Sequence, residues 1–394
     1  MKARTRKVLQ ACAVSWCALG ASAAYLGCSS DDNAALPTFD GGNDGAITLT
    51  DASNATDGND GSTLGDGGAC PADNGEAPDD LRCTGLYSDF AAKTVDPSNK
   101  AYTPGVVLWS DGAAKSRWLY LPPGTKIDDS NMNEWSFPVG TKIWKEFSFG
   151  GKKVETRFYE KTQAAAFDGG SGEWTWATYP WSADQTSAMR NDDGVADAGP
   201  NGYSIPAHSD CPSCHGGGLK DRPLGVEAIA LGLPNATGET LAQLQTDGRL
   251  TVAPPAAIVH IPDDGKGSAA ALGYLHMNCG VSCHNPNPAA LCNGSGLYMK
   301  LSADDAFANP DGGAAAVTLT KTYTTAFGVA PSVFAADFPV ANGYHRITSG
   351  DVAHSEIVAV ESVRGVAYQM PPIATHLVDD AGVGLVSDWI SQSP

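Results

Sequence analysis

The fold is decided by the stretch Thr141–Phe149, TKIWKEFSF, which is followed by the pair Gly150-Gly151 and then by Lys153–Glu160, KVETRFYE. Both segments are short and rich in aromatic and β-branched residues, a composition that favours β-strands. The glycine pair between them is typical of a turn. The sequence therefore predicts two strands that are separated by a turn.

The same composition continues on both sides of this stretch. Arg117–Leu121 and Trp174–Tyr179 are also predicted strands, and seven of the nine tryptophans lie between Trp109 and Trp181. Large aromatic rings are buried in a core more often than they serve as cofactor platforms. We therefore expect residues 70–200 to form a β-rich domain, a small sandwich or barrel with an aromatic core.

Length and composition limit the class of protein. The chain has 394 residues, which suggests two or three domains at about 100–200 residues per domain. Its formal net charge of −19 argues against nucleic acid or an anionic lipid surface as the partner. After the N-terminus no apolar run approaches the ~18 residues of a membrane span, which argues against a multispanning membrane protein. The ten cysteines require disulfide, metal or redox chemistry.

Residues 1–27 are predicted to be an export signal peptide. Four basic residues precede an apolar stretch that runs from Val8 to Leu26, which is the form of a segment removed from the mature protein. Two processing sites compete: Ala21-Ser22-Ala23 fits ordinary signal cleavage, whereas Leu26-Gly27-Cys28 resembles a lipobox. We expect lipidation of Cys28, and with it a lipoprotein anchored in the cell envelope, periplasmic or at the outer membrane.

The segment 28–69 is predicted to be a disordered tether between this anchor and the folded body. From residue 29 onward it contains eight Asp and eight Gly, no Lys or Arg, and Phe39 as its single aromatic residue. Such a composition cannot bury enough apolar surface to offset the entropy of ordering the chain. An acidic calcium-binding repeat is the alternative, but the Asp-Gly clusters show no regular period. Cys70 and Cys83 then bracket a short loop, and we expect them to form a disulfide.

The first motif with chemical content is Cys211-Pro212-Ser213-Cys214-His215. The spacing CxxCH is the attachment sequence of a c-type haem, in which two thiols form thioether bonds to the macrocycle and the histidine binds the iron. We therefore expect Cys211 and Cys214 to hold a haem covalently, with His215 as proximal ligand, in a first haem-binding segment over 201–265. The glycines at 216–218 let the backbone pass close to the porphyrin.

A second motif, Cys279-Gly280-Val281-Ser282-Cys283-His284, has one residue more between its cysteines. Ser268 is a candidate cap for a helix that runs into this motif. Met370, bounded by prolines in YQMPP, is a candidate distal ligand, and a last amphipathic helix is predicted from Asp379. This order of elements is that of a small cytochrome c domain, so we expect a mainly α-helical region over 266–394. Cys279 and Cys283 would hold its haem, and His284 and Met370 its iron.

With these motifs the chain resembles a family of exported bacterial dihaem c-type cytochromes over nearly all of residues 78–392. The resemblance rests on the order of many short phrases, and the second motif departs from it, because the family more usually has CxxCH there. The resemblance implies an α+β protein with a β-rich N-terminal domain, a cytochrome c-like C-terminal region and two covalent haem c groups that transfer electrons. The matching phrases are TGLY (84–87), LWSDG (108–112), LPPG (121–124), FPVGT (137–141), ETR (155–157), WSADQT (181–186), IP (205–206), YL (274–275), NC (278–279), MPP (370–372) and DWI (388–390).

Other readings of the motifs stay open at this point. The four motif cysteines could instead hold one zinc ion, although a histidine follows each pair and the gap between the pairs is long. A dihaem peroxidase or oxidase would use an open position on the first haem. A cell-surface protein would bind polysaccharide through exposed tryptophans. Cys292 has no assigned role, and it is close enough to Cys283 in sequence to compete with Cys279 for a partner.

The sixth ligand of the first haem is not assigned by the sequence. His208, His260 and His276 are candidates, of which His260 lies in an apolar stretch typical of a buried histidine. Arg222 and Glu227 follow the first motif, but they do not form a recognisable distal acid–base constellation. We therefore expect an electron carrier rather than an enzyme. Its acidic surface favours a basic redox partner protein and gives no role to nucleic acid.

Overall fold

The computed structural model describes residues 70, 75–164, 173–215, 221, 223–308, 314–331 and 343–393. The predicted signal peptide, the predicted tether and the lipidation site Cys28 lie outside these residues, and so do the glycines after the first motif. Within the described residues the chain combines an antiparallel sheet with short helices, which confirms the predicted α+β class.

A six-stranded antiparallel sheet with the strand order β7-β6-β5-β4-β3-β8 forms the centre of the described chain. The two segments with which the sequence analysis opens form its neighbouring strands β5 (Lys142–Phe149) and β6 (Lys152–Lys161). Gly150 and Gly151 connect these strands with φ values of 55° and 81°. These left-handed values explain why glycine stands at both positions. The strands are β1 Tyr87–Asp89, β2 Thr94–Val95, β3 Lys100–Thr103, β4 Ala114–Tyr120, β5 Lys142–Phe149, β6 Lys152–Lys161, β7 Trp174–Pro180 and β8 Thr237–Gly238.

The prediction of a sandwich or barrel is wrong. The described strands form one open sheet and a separate two-stranded ribbon of β1 and β2. Four strands, β4 to β7, were predicted with bounds within three residues of those observed, and the other four were not predicted. Strand composition indicates where strands lie but not what covers them, and here helices and loops take the place of a second sheet. The edge strand β8 is only two residues long and comes from the segment expected to bind the first haem.

The two faces of the sheet pack against different parts of the chain. On one face, Trp144 and Phe158 pack against Leu81 of the N-terminal segment, and a disulfide joins Cys70 to Cys83 in that segment. On the other face, the core continues into the helical half of the molecule. This second face carries the side chains that matter for the candidate site.

The core on this second face draws on the whole described chain. Leu119 and Ile143 of the sheet belong to one buried cluster with Ile229, Leu272 and Trp389. Residues from the predicted β-rich domain and from both predicted haem segments therefore share a single core. Because side chains alternate between the two faces of a strand, the odd-numbered residues of β5 point toward the helical half.

The helical half consists mainly of helices of one or two turns. Its last helix, Asp380–Gln392 (α9), is capped by Asp379, whose carboxylate accepts a hydrogen bond of 3.1 Å from the backbone N–H of Gly382; this confirms the predicted closing helix. Among the described residues, no helix combines the length and the apolar character that crossing a bilayer requires. The helices are α1 Cys211–His215, α2 Ala228–Gly232, α3 Leu241–Thr246, α4 Ser268–Leu275, α5 Ala303–Ala308, α6 Ala314–Leu319, α7 Lys321–Ala326, α8 Glu356–Glu361 and α9 Asp380–Gln392.

Helix α4 differs from its prediction at both ends. Ser268 is not its cap, because Gly267, with a φ of 86°, precedes the helix, and the Ser268 hydroxyl accepts a hydrogen bond of 2.8 Å from the backbone of Asp264. The helix ends at Leu275 instead of running to the second motif. A π-helical turn over His276–Gly280 continues it.

Candidate functional site

The first motif, CPSCH, forms the one-turn helix α1. Cys211 and Cys214 are half-buried and form no disulfide, and their spacing of three residues places them on the same side of the helix. Burial raises the pKa of Cys211 to about 11 and that of Cys214 to about 12. Both residues are therefore protonated thiols at neutral pH.

His215, the last residue of α1, lies against the sheet. The hydroxyl group of Tyr159 on β6 is 2.7 Å from Nε2 of His215, and the two ring centroids are 4.7 Å apart. An imidazole nitrogen that binds iron cannot keep such a hydrogen bond, so iron ligation through Nε2 requires the ring to leave Tyr159. The contact fixes α1 over the second face of the sheet.

A row of cations crosses the sheet beside this helix. Arg117, Lys145 and Arg157 stand directly opposite one another on the neighbouring strands β4, β5 and β6. Burial lowers the pKa of Lys145 well below its usual value, and the adjacent Arg117 lowers it further; a charge interaction with nearby Cys214 acts in the opposite direction. The row was not predicted from the sequence, because only strand pairing brings these three residues side by side.

The extra residue of the second motif is accommodated by the π-helical turn. The backbone N–H of Val281 donates to the carbonyl of His276 at 2.9 Å, and that of His284 donates to the carbonyl of Cys279 at 2.8 Å. Each of these bonds spans five residues, and a π-turn holds one residue more than an α-turn. The departure from CxxCH is therefore matched by a local change in helix geometry.

Three residues that the sequence assigned to the second haem line one cavity: Cys279, His284 and Met370. The unfilled space at this cavity and in its opening to solvent amounts to about 460 Å³. Cys283 is not among its lining residues. The remaining lining residues, most of them apolar, are Leu297, Met299, Ala326, Arg346, Glu356, Ile357, Val360 and Glu361.

His284 has the properties of a metal ligand. It is buried, with 6% of its surface exposed. Burial lowers its pKa to about 4, although the backbone of Leu297 opposes this shift, so the imidazole is neutral at neutral pH and carries a free lone pair for a metal. Its Nδ1 is buried and has no hydrogen-bond partner among the described residues.

Met370 is held at this cavity by its backbone and its neighbour. Its own N–H donates to the carbonyl of Val360 on α8 at 2.9 Å. The side chain of Gln369 accepts a hydrogen bond of 2.6 Å from the backbone of Gly365 and donates one of 3.0 Å to the carbonyl of Pro371. These bonds restrain the loop that carries the thioether of Met370. The half-buried Met370 lines the same cavity as His284, although the two residues are 86 positions apart in the sequence.

Two further residues of the cavity carry chemistry that the motifs did not reveal. The thiol of Cys279 donates to Oε1 of Glu361 at 3.6 Å, and burial raises the pKa of this carboxyl group to about 7. Met299, a second thioether, lies beside His284, whose carbonyl accepts a hydrogen bond of 2.7 Å from the Met299 backbone. Both residues occupy positions with ordinary apolar or helical spacing, which is why the sequence alone gives no signal for them.

The two motifs are close to each other. After burial, a charge interaction with Cys283 is the next largest cause of the raised pKa of Cys214, so the second cysteine of each motif lies near the other. Cys292 is also nearby, since its backbone N–H donates to the carbonyl of Cys283 at 3.3 Å. The proximity of Cys292 to the second motif that the sequence suggested is therefore present in the fold.

The structure places the three histidines considered for the first haem in different surroundings. Both ring nitrogens of the fully buried His276 are engaged: Nε2 lies 3.2 Å from Glu227, and Nδ1 accepts a hydrogen bond of 3.0 Å from the backbone of Leu301. His260 is exposed, so the expectation that it is a core residue is wrong. His208 is half-buried, precedes α1 directly, and its ring lies near Trp176.

Glu227, which follows the first motif in sequence, contacts both a helix end and the ring of His276. Glu227 caps α2, because its carboxylate accepts hydrogen bonds from the backbone of Ile229 and Ala230. Across the described residues, which include all four motif cysteines, no three His, Cys, Asp or Glu side chains come together as a metal site. No protein-family model matches this chain, and neither the search of curated proteins nor that of solved structures gives a match.

Proposed function

We propose that this chain is an exported c-type cytochrome that carries two covalently attached haems and transfers electrons in the cell envelope. The observation that carries the proposal is the cavity lined by Cys279, His284 and Met370. A histidine, a methionine and a cysteine from distant parts of the chain are the side chains that a His/Met-ligated haem c requires. A packing core would not need these three residue types around one cavity.

The chemistry of the cavity residues fits this group. His284 is neutral, which leaves a lone pair for iron. Met370 offers a thioether, a ligand that raises the reduction potential of haem iron, and Cys279 offers a thiol. The apolar side chains around them, such as Leu297 and Ile357, exclude water, which favours the less charged ferrous state.

The first site is supported by its motif and its position. Cys211 and Cys214 lie on one side of α1 as free thiols, and His215 follows directly. Because Cys214 lies near Cys283, groups attached at the two motifs would be neighbours. A bound haem supplies an iron that changes oxidation state by one electron; the protein supplies attachment, ligands and burial. Export and lipidation of Cys28 complete the proposal as its localisation, with a basic redox protein as partner.

A dihaem peroxidase or oxidase is the second candidate function. It is favoured by one observation: His276, a candidate sixth ligand of the first haem, uses both ring nitrogens within the protein. The spin state of the first haem separates the two functions. Low-spin spectra for both irons support the carrier, whereas a high-spin ferric signal together with peroxide turnover supports the enzyme.

The haem content of the mature protein tests the proposal. Protein produced with a haem-attachment system should contain two c-type haems per chain by pyridine haemochrome analysis. Replacing Cys211 and Cys214 by alanine should remove one haem, and replacing Cys279 and Cys283 should remove the other. Cys292→Ala is the matched control, since Cys292 is a buried cysteine outside both motifs, and it should keep both. A content of zero haems in the unmodified chain would refute the proposal.

A further inference from the structure

The row of Arg117, Lys145 and Arg157 is unusual for a buried sheet face. The three residues are cross-strand neighbours, so like charges face each other directly. Arg117 has only 2% of its surface exposed, and its Nε and Nη2 atoms are buried without a hydrogen-bond partner among the described residues. Such an arrangement is unfavourable unless something negative balances it.

Among the described residues, the protein supplies only part of the negative charge that these three basic side chains need. Arg157 forms a bidentate ion pair with Glu155, with distances of 2.7 and 3.0 Å. Within the described residues, Glu155 is the single carboxylate that contacts the three cations by a hydrogen bond or ion pair. A fourth basic residue, Lys115, lies on the same face and bonds to the carbonyl of Leu108. Basic side chains therefore outnumber the carboxylates that contact them on this face.

This cationic row lies beside the first motif. Tyr159, which contacts His215, follows Arg157 by two residues on β6 and so points to the same side of the sheet. Cys214 is close enough to Lys145 for each charge to shift the pKa of the other. A ligand held by Cys211 and Cys214 would thus lie next to the unpaired guanidinium group of Arg117 and the ammonium group of Lys145.

We propose that Arg117, Lys145 and Arg157 form a binding site for a carboxylate or another oxyanion. The proposal for the occupant rests on the proposed function: in the mature protein the carboxylate groups of the haem attached to Cys211 and Cys214 fill the site. Guanidinium and ammonium groups are the side chains that bind carboxylates by charge-assisted hydrogen bonds. A free oxyanion from solution shares this chemistry and is the other source.

The first arm of the test uses the full chain without attached haem. Malonate, a dicarboxylate, and inorganic phosphate are titrated, and binding is followed by the rise in thermal unfolding temperature and by calorimetry. Lys145→Met should weaken malonate binding by roughly tenfold or more, the effect of losing one charge-assisted hydrogen bond. Lys145→Arg keeps the charge and should retain binding.

Lys142→Met is the matched control for this arm. Lys142 lies on the same strand but on the opposite face of the sheet, where it pairs with Glu160 at 3.8 Å, so its loss should leave malonate affinity unchanged. Absence of malonate and phosphate binding, or equal binding by the wild type and Lys145→Met, would overturn the site. Because no haem is present, this arm gives its answer whether or not the proposed function is correct.

The second arm uses the mature protein and identifies the occupant. If haem carboxylates fill the site, malonate should no longer bind. Lys145→Met should then lower the midpoint potential of the haem attached to Cys211 and Cys214 relative to wild type, since removing a nearby cation disfavours the ferrous state. Lys145→Arg should restore that potential, and Lys142→Met should not change it. Malonate binding to the mature protein with unchanged affinity would assign the site to a free oxyanion and overturn the haem carboxylates as occupant.

Discussion

At the scale of single residues, His284 and Met370 could be nominated as site residues from the sequence, whereas their neighbours in the same cavity could not. The Cys-His pair of the motif and the prolines around the methionine are enough to nominate both residues from sequence. Their neighbours in the cavity, Met299 and Glu361, could not be nominated, because a buried methionine and a helical glutamate are common in any core. Only the fold brings the second thioether and the buried carboxyl group to the same cavity.

The presence of two methionines at this cavity makes the ligand assignment testable. If the mature protein carries the proposed haem with Met370 as distal ligand, Met370→Ala should remove the sulfur-to-iron charge-transfer band from the red end of the spectrum, because the thioether that gives rise to the band is lost. Met299→Leu is the matched control, since it removes the other thioether of the cavity and keeps its volume, and it should leave the band in place. If the band survives Met370→Ala and disappears in Met299→Leu, the ligand is Met299.

Glu361 predicts how stability depends on pH in the chain without haem. Its folded-state pKa of about 7 lies above the ordinary value of 4.5, so the folded state holds the proton more tightly than the unfolded state. The contribution of Glu361 to stability is therefore complete below pH 4.5 and is lost as the pH rises through 7. Glu361→Gln keeps the acceptor for Cys279 without the charge and should be more stable than wild type at pH 8 by as much as about 3 kcal/mol.

Urea unfolding at pH 4.5 and pH 8 measures this difference. The advantage of Glu361→Gln should be absent at the lower pH and appear at the higher one. Glu173→Gln removes an exposed carboxylate and should not change the free energy of unfolding by more than about 0.5 kcal/mol at either pH. An equal effect of Glu361→Gln at both pH values would mean that the carboxyl group does not titrate in this range.

At the scale of elements, local composition predicted four of the eight described strands and did not predict what packs against them. Aromatic and β-branched side chains located β4 to β7 closely, because these residues favour a half-buried pleated surface. The edge strand β8 could not be predicted, since Thr237–Gly238 has no strand signal of its own and pairs only because Tyr102 and Thr103 lie beside it. The closing helix α9 was predicted correctly because its apolar spacing and its cap are both local signals.

The packing of α4 against α9 depends on a glycine that the sequence pattern did not mark. A Cβ atom at Gly382 would overlap the ring of Tyr274 on α4, whereas one at Gly384, two residues later on α9, would meet no other atom within 4 Å. Gly382→Ala should destabilise the protein by ~1–3 kcal/mol, because the added methyl group overpacks the contact. Gly384→Ala should instead stabilise it by about 0.5–1 kcal/mol, because alanine favours a helix.

Chemical denaturation of the two variants checks this opposite effect. The pair is matched in helix, residue type and size of the change, so helix propensity cancels between them. Equal changes in the free energy of unfolding for Gly382→Ala and Gly384→Ala would show that the close approach of α4 and α9 does not contribute to stability. In that case the contact between Tyr274 and Gly382 would be incidental.

At the scale of the whole molecule, the sequence suggested segments and the structure shows how they pack. The core cluster that includes Leu119 also includes Ile229 and Trp389, so the sheet and the helical half exclude water together. Unlike the core, the negative charge is concentrated in one part of the sequence, because eight aspartates lie in the segment 28–69. The net charge of −19 is therefore a weak guide to the charge on the surface of the folded body.

The shared core predicts that the sheet and the helices unfold together, and Asp221 is the residue that tests it. Its carboxylate pairs with the fully buried Lys161 of β6 and accepts hydrogen bonds from Trp174 at 2.7 Å and from the backbone of Phe137 at 2.6 Å. Asp221→Ala leaves Lys161 as an uncompensated buried charge and should cost ~3–5 kcal/mol. Asp192→Ala, which breaks a half-exposed pair with Arg190, should cost at most about 1 kcal/mol.

Two probes of urea unfolding decide whether Asp221→Ala destabilises the sheet and the helical half together. Tryptophan fluorescence reports mainly on the sheet region, where seven of the nine tryptophans lie, and far-ultraviolet circular dichroism reports on the helices. In the wild type and in Asp221→Ala the two transitions should coincide, with both midpoints lowered by the same amount in the variant. A fluorescence transition that shifts alone would show that the sheet and the helical half are separate folding units, and that the ion pair of Asp221 stabilises only the first.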